Sequence, residues 1–278
     1  MLSRRALLTG LAAGGALWAR GGSAVAAVRE LAAEDAHDYP IRMRKSVEVL
    51  FQSPEGHGNG LEATREGLWV AEQISDRAHL LDWETGKVLA SYETQSSNTS
   101  GIAAGGGYLW MAANGPASRR ETRSHDVKKG GRIVKVDLET GKHVKNYPTP
   151  NGGGLHGLNW TGDSLWITQF GPNAILRSDA DLHVKDSFPV PLSRAHGLAW
   201  DGNYLWCMFS NDFRVLKFDV ETSRIVEAIQ LNSDDPDPHG MTWHDGYLYY
   251  CDAGLKPMSQ GGAANQSDYP GAICRIHV

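Results

Sequence analysis

An eleven-residue motif recurs along the chain and constrains its fold more than any other feature. The fullest copy, HGLNWTGDSLW, occupies 156–166, and close copies occupy 196–206 and 239–249. Two weaker copies lie upstream. The repeated glycine of the five copies is Gly60, Gly101, Gly157, Gly197 or Gly240. These glycines are 41, 56, 40 and 43 residues apart, and a period near 40 with several strands per unit is typical of a β-propeller.

Each unit contains four short segments with strand character. One follows the glycine, and a turn such as Asp201-Gly202-Asn203 leads to a second that carries a Leu-Trp pair. A third ends in Asp, as at 132–137, and a Glu-Thr-Gly-Lys turn, as at 84–87, precedes the fourth. Four antiparallel strands per unit make one propeller blade.

The two ends of the repeat region complement each other. The last unit stops after its third strand, at 272–278, whereas an unassigned strand at 46–51 precedes the first glycine. That strand can complete the last blade and remove an open sheet edge. The sequence therefore predicts an all-β, five-bladed propeller over 46–278, preceded by an arm at 27–45. Six blades are the alternative if the arm hides another.

The N-terminus has the features of an export signal. Arg4 and Arg5 precede a largely apolar run through Ala19, and 24–26 reads Ala-Val-Ala. Residues 1–26 are predicted to be a bacterial twin-arginine signal, with an ordinary secretory signal as the alternative. The expected location is periplasmic or secreted. No other stretch reaches 18 apolar residues, so the mature chain should have no membrane span.

Charge and cysteine content narrow the classes of partner. The net charge of −5 provides no basic footprint, so nucleic acid is not an expected partner. Cys251 and Cys274 fall on neighbouring predicted strands, where either a disulfide or two buried thiols are possible. The acidic run at 234–237 is interpreted as a solvated loop, with calcium binding as the alternative.

One polar position, directly before the repeated glycine, changes from unit to unit. It is occupied in turn by Asn59, Ser100, His156, His196 and His239. First strands line a propeller's channel, so the three histidines should converge from adjacent blades and hold a divalent metal with open positions. Zinc, copper, iron, manganese and nickel all suit imidazole ligands. The alternative is a structural role, in which each histidine satisfies a neighbouring blade's backbone.

A second set of candidates lies near the ends of the second strands and in two insertions. Glu72 and Asp252 are candidate acid–base groups or metal partners, and His125 is a candidate acid or base. Long connections at 114–130 and 254–270 lie on the histidine face, where loops often bind ligands. The candidate substrate contacts are Asn59, Ser100, Gln73, Asn114, Arg119, Arg120, Gln169 and Asn211.

The pattern H-G-L-x-W-x-G-x-x-L-W, followed by a strand ending in Asp and a Thr-Gly-Lys turn, resembles the repeats of two enzyme families. These are virginiamycin B lyase, which has seven blades and a metal-assisted elimination, and the five-bladed glutaminyl cyclases. Ser100 or a histidine stands where cyclase blades have an acidic residue. Histidine ligands from separate blades are also similar to those of the peptidyl-hydroxyglycine amidating lyase. The resemblance implies a metal-assisted lyase site at the channel mouth.

The leading hypothesis is therefore an exported, metal-dependent lyase that acts on a small molecule or peptide. A non-catalytic propeller that binds a ligand or protein is the second hypothesis. A divergent glutaminyl cyclase is the third.

Overall fold

The computed structural model describes residues 39–117, 119–254 and 267–278. Their strands form five separate sheets arranged as the blades of a propeller, as the repeat period predicts. The predicted signal at 1–26 lies outside the described residues. None of the helices within the described ranges has the length and apolar character needed to cross a membrane.

The blades follow the chain in order, each with its first strand innermost. Blade 1 contains β3 (Gly58–Thr64), β4 (Gly67–Glu72), β5 (Arg77–Leu81) and β6 (Val88–Glu93). Blade 2 contains β7 (Thr99–Gly105), β8 (Tyr108–Ala113), β9 (Arg132–Asp137) and β10 (His143–Pro148). Blade 3 contains β11 (Gly154–Thr161), β12 (Ser164–Phe170), β13 (Ala174–Ser178) and β14 (Val184–Pro189). Blade 4 contains β15 (Ala195–Trp200), β16 (Leu205–Phe209), β17 (Arg214–Asp219) and β18 (Arg224–Gln230). Blade 5 contains β19 (Pro238–His244), β20 (Tyr247–Asp252) and β21 (Ala272–His277). Two short 3-10 helices span Pro150–Gly152 and Ser210–Asp212.

The N-terminal segment closes the ring as expected and also straps a second blade. Strand β2 (Ser46–Gln52) pairs antiparallel with β21 and supplies the missing strand of blade 5. Strand β1 (Ile41–Met43) pairs parallel with β18 at the outer edge of blade 4. The part of the arm that is described thus adds a strand to an existing blade. The described residues form five blades and no sixth.

The hydrophobic core is divided into five clusters, one between each pair of adjacent blades. The repeated Leu-Trp pair supplies these clusters. Trp110 of blade 2 stacks on Trp160 of blade 3, with ring centroids 5.5 Å apart. The cluster between blades 5 and 1 contains Leu61 together with Tyr249. The ring is therefore closed by side-chain packing as well as by strand pairing.

The repeated glycine is required where neighbouring first strands come closest. A Cβ on Gly157 would lie 2.0 Å from the His196 carbonyl oxygen, and one on Gly240 would lie 2.5 Å from the Gly60 Cα. No side chain fits at such distances, so a larger residue would push the blades apart. The motif's most constant position is thus a packing requirement of the inner ring.

The Thr-Gly-Lys turn after the third strand of blades 1 and 2 has a local cause. In blade 1, Asp82 accepts hydrogen bonds from the backbone and hydroxyl of Thr85, and Gly86 takes a left-handed conformation with φ of 67°. Asp137 and Thr140 repeat the arrangement in blade 2. The aspartate that ends the strand therefore stabilises the hairpin turn that follows it.

Cys207, Cys251 and Cys274 are all buried free thiols. Cys251 lies opposite Ile273, and Cys274 lies opposite Tyr250, on adjacent strands. Neighbouring residues of a strand point to opposite faces, so the two thiols enter different interblade clusters. Of the two alternatives left open by the sequence, the structure has two buried thiols.

Candidate functional site

The variable polar position lies at a break in strand pairing in every blade. Pairing of the first strand with the second shifts between Leu155 and Leu158 in blade 3, and between Ala195 and Leu198 in blade 4. The other three blades shift at the same place. Such β-bulges redirect side chains and are frequent next to active sites. The bulge turns one polar residue per blade toward its neighbours at one mouth of the channel.

The three histidines come together at this mouth, as the sequence predicts. The rings of His156 and His196 stack, with centroids 4.3 Å apart and planes 12° from parallel. His239 meets His196 edge-on, with centroids 4.7 Å apart. All three side chains are buried. This group is called the histidine cluster below.

Burial keeps the histidine cluster neutral. Burial, together with the smaller effect of the positive charge of Arg194, lowers the pKa of His156 to about 3. Burial also lowers the pKa of His196 and His239 well below the ordinary value. Neutral imidazole has one N–H and one nitrogen with a lone pair, so each ring can donate one hydrogen bond and accept another at neutral pH.

A guanidinium that the sequence analysis did not select completes the cluster. Arg194 places Nη2 3.2 Å from His239 Nε2 and Nη1 3.4 Å from the amide oxygen of Asn211. An arginine has only hydrogens to donate, so His239 Nε2 accepts and its Nδ1 carries the proton. The Nδ1 atom faces the Asp237 carbonyl oxygen at 3.3 Å. Asn211, a predicted substrate contact, thus helps to position Arg194.

Asp237 is the second group that the sequence analysis missed. It was interpreted as part of a solvated loop, but only 3% of it is exposed, because its flanking prolines lead directly into β19. Neither carboxyl oxygen has a hydrogen-bond partner among the described residues, although Oδ2 lies 3.4 Å from His239 Nδ1. Burial and the nearby Asp252 raise its pKa to about 8. Its proton therefore titrates near physiological pH.

Asp252 lies beside Asp237 and holds the surrounding loops. Its oxygens accept hydrogen bonds from the Asp237 backbone at 2.9 Å, the Gly254 backbone at 2.7 Å and the Ser267 hydroxyl at 2.5 Å. Burial raises its pKa to about 6 in spite of these bonds. Asp252, predicted as an acid–base group, is thus placed to position Asp237 and the insertion after β20. The rest of that insertion, 255–266, lies outside the described residues.

The other two predicted catalytic residues are engaged elsewhere on the same face. Glu72 accepts hydrogen bonds from the backbones of Glu55 and His57, at 3.3 and 3.0 Å, and holds the loop before β3. Burial raises its pKa. His125 lies 3.8 Å from Asp126 of its own insertion, and Arg132 of β9 donates to its carbonyl oxygen.

The predicted substrate contacts divide into two groups. Asn59 and Gln169 are buried at the mouth with side-chain atoms that have no partner within the described part of the chain, so they are available to a ligand. Ser100 donates its hydroxyl to the Leu155 carbonyl oxygen at 3.0 Å and bridges blades 2 and 3. In the insertion, Arg119 donates to Gln73 at 3.0 Å.

Arg120, another predicted contact, belongs to an ion-pair network. It pairs with Asp76 and Asp126, and Asp76 also accepts from the backbone and hydroxyl of Thr99. These bonds fasten the 114–130 insertion to the start of blade 2. They also confirm that the insertion lies on the histidine face. Asn114, at the base of the insertion, donates its backbone N–H to Asn98.

The described arrangement of the histidine cluster does not fit one metal ion. An imidazole donates its lone pair in the ring plane, and Zn–N distances are about 2.1 Å. The nearly parallel rings of His156 and His196 cannot both aim at one ion over that distance, and Arg194 holds the lone pair of His239 Nε2. No group of three or more His, Cys, Asp or Glu within the described residues is arranged to hold a metal.

A sequence signal for Arg194 and Asp237 does exist. Both residues stand two positions before the histidine of their unit. The corresponding residues of the five units are His57, Asn98, Gly154, Arg194 and Asp237. Because side chains alternate along a strand, this position approaches the same mouth as the histidine. Aligning the units two residues further upstream would have identified it.

Fold and site together define the molecule as a five-bladed β-propeller with a buried imidazole, guanidinium and carboxyl cluster at one mouth. Glutaminyl cyclase from Myxococcus xanthus superposes with a TM-score of 0.61 at 12% identity, over 86% of this chain and 98% of the cyclase. A luciferin-regenerating enzyme gives 0.51 at 14% identity, over 84% and 95%. Virginiamycin B lyase from Staphylococcus aureus gives 0.47 at 19% identity, over 82% and 68%.

These likenesses bear on the fold alone, and the first two confirm the propeller that the repeats predict. No protein-family model matches the sequence. The curated proteins likewise give no match.

Proposed function

We propose that this chain is an exported enzyme of the lyase class that acts on a small molecule or peptide at the histidine mouth. The observation that carries the proposal is the unpaired, buried carboxyl of Asp237 beside the fixed cation of Arg194. Perturbed titratable groups of this kind are concentrated at catalytic sites. An acid with a pKa near the working pH is also well suited to proton transfer.

The chemistry follows from the charges of the two groups. The Asp237 carboxylate removes a proton from a substrate carbon next to a carbonyl. Arg194 stabilises the negative charge that develops on the carbonyl oxygen. The electrons of the broken C–H bond form a carbon–carbon double bond as the bond to the leaving group breaks. Asp237 then returns its proton to the leaving group, which restores the carboxylate and balances the elimination.

The histidine cluster shapes this site. His239 holds Arg194 through Nε2, and the stacked rings of His156 and His196 form a wall beside it. His196 Nδ1 is buried without a partner and can bind a polar substrate atom. A divalent metal at the three histidines, expected from the sequence, would require Arg194 to withdraw and a ring to turn. It stays a prediction for metal analysis to test.

Substrate panels analysed by mass spectrometry test the proposal. The panel contains cyclic depsipeptides, linear peptides and peptides with N-terminal glutamine, each incubated in isotopically labelled water. Elimination conserves total mass and incorporates no label, hydrolysis adds labelled oxygen, and glutamine cyclisation releases ammonia. We expect elimination, with a rate that rises with pH toward about 8 as Asp237 ionises.

Two variants keep the test specific. Asp237→Asn should lower the rate at least a hundredfold, whereas Asp245→Asn, which alters an exposed aspartate of a hairpin turn, should leave it unchanged. Cyclisation of the glutaminyl peptides would instead support a divergent cyclase. If no panel member turns over, a ligand-binding propeller becomes the better account. Export is tested separately, since replacing Arg4 and Arg5 with lysine should block twin-arginine transport.

A further inference from the structure

Arg194 is a cation placed at the mouth without an anion to balance it. Within the described residues its hydrogen bonds go to a neutral imidazole and an amide, and it forms no ion pair. Burial accordingly lowers its pKa, and the charge of Asp237 only partly offsets the effect. Arg120, on the same face, instead pairs with two carboxylates. Arg194 is half-buried, and a charge that is partly withdrawn from water without a counter-ion is unfavourable, so its presence here calls for a partner.

The backbone of Arg194 is also strained. Its φ is 54°, in the left-handed region that disfavours residues with a side chain. The residue lies directly before β15 and two positions before His196. Strained conformations of this kind are concentrated at ligand-binding sites. The conformation places the guanidinium against His239 of the next blade, at the mouth.

The groups around Arg194 favour a singly charged ligand. His156, His196 and His239 are neutral, so Arg194 provides the positive charge of the cluster. Asp252, which lies beside Asp237 and has a pKa of about 6, is mostly ionised at neutral pH and adds negative charge on the Asp237 side of the mouth. The planar fork of a guanidinium matches the two oxygens of a carboxylate. A phosphate dianion would carry more charge than this mouth can balance.

We propose that Arg194 binds a carboxylate of the substrate at the histidine mouth, with Asn211 and His239 positioning the guanidinium, and that this carboxylate supplies the carbonyl oxygen on which charge develops in the proposed elimination. Calling this ligand a substrate rests on the proposed function. Its test does not, because the probes are unreactive. If turnover is absent but carboxylates bind, only the enzymatic proposal fails.

Calorimetric titration with matched probes tests the inference. N-acetylglycine carries the carboxylate, N-acetylglycinamide has nearly the same shape without the charge, and inorganic phosphate carries more charge. We expect the carboxylate to bind and the amide to bind at least tenfold more weakly. Arg194→Ala should weaken carboxylate binding about ten- to hundredfold, because a charge-assisted pair is lost. Arg194→Lys, which keeps the charge but loses the fork, should have an intermediate affinity.

Arg177→Ala, which changes a partly exposed arginine of the outer strand β13, is the matched control and should bind like the wild type. Thermal unfolding of each variant verifies folding. Equal affinity for acid and amide, unchanged binding in a folded Arg194→Ala variant, tighter binding of phosphate or no binding of either glycine probe would each overturn the proposal.

Discussion

Two buried arginine–aspartate groups share one face of the propeller, and they differ in how completely they are paired. In the insertion network, Arg120 joins Asp76 and Asp126, and Asp76 also accepts two bonds from Thr99. At the histidine mouth, Arg194 forms no ion pair with any described residue, and Asp237 has two unpartnered oxygens.

Arginine and aspartate thus have different roles in the two groups. A network in which every charge has a partner stabilises a loop, whereas unpaired buried groups are costly to the fold. Such groups are retained where a ligand or a reaction requires them. The comparison therefore separates a structural cluster from a candidate functional one on the same surface.

The largest difference should appear when each arginine is removed. Arg120→Ala leaves Asp76, which is fully buried, without its cation. This should lower the free energy of unfolding by about 3–5 kcal/mol. Arg194→Ala removes a charge that has no ionic partner and should change stability by less than about 1 kcal/mol. Urea unfolding monitored by tryptophan fluorescence measures both. Equal losses would mean that the two groups are both structural.

The pH dependence of stability should be intermediate in size. The folded pKa of Asp237 is about 8, compared with 3.8 for the model carboxyl. Between these values the folded state keeps a proton that the unfolded state has lost, so stability falls as pH rises. The groups facing Asp237 are Asp252, Arg194 and His239. Relative to Asp237→Asn, the wild type should lose about 2 kcal/mol between pH 5 and 7.

Asp126 of the paired network should show the opposite sign, which provides an internal control, whereas burial raises the pKa of Asp76 in the same network. Hydrogen bonding to Arg120 lowers the pKa of Asp126 to about 2. The stabilisation of the folded state by Asp126 is complete above the unfolded pKa of about 4 and is lost as the pH falls toward 2. Denaturant unfolding across both pH ranges tests the two signs. The raised pKa of Asp237 would be contradicted if the difference in the free energy of unfolding between the wild type and Asp237→Asn did not change between pH 5 and 7.

The smallest effect should come from the outer layer of the insertion. Arg119 bonds to Gln73 near the surface and pairs with no carboxylate among the residues that the structure describes. Arg119→Ala should therefore change unfolding free energy by less than about 0.5 kcal/mol. A loss above about 2 kcal/mol in the same urea titration would show that the insertion depends on this contact as well as on Arg120.

Much of the fold could be predicted because the repeated residues of the motif are the ones that pack adjacent blades together. The period gave the blade count, and the repeated glycine marks the places where first strands touch. The unassigned strand before Gly60 indicated the ring closure. Strand β1 was missed because three residues pairing at an outer edge produce no clear alternation.

The site was predicted only in part, because the prediction considered the variable polar position directly before the repeated glycine and not the position two residues upstream of it. The convergence of His156, His196 and His239 follows from the repeat, but the stacking of two rings depends on the bulges. Asp237 was interpreted as solvated because acidic runs usually are. Two flanking prolines and the start of β19 bury it instead. Charge pairing between distant segments, as in Asp76 with Arg120, is not encoded locally.

Metal content tests the central claim, that the histidine mouth works through its own charged groups. Protein exported by its own signal would be analysed by plasma mass spectrometry, beside a variant in which His156, His196 and His239 are all alanine. The described geometry predicts well under one equivalent of transition metal in both proteins, since Arg194 occupies the lone pair of His239. One equivalent in the wild type that disappears in a folded variant would contradict the account and establish the metal centre expected from the sequence.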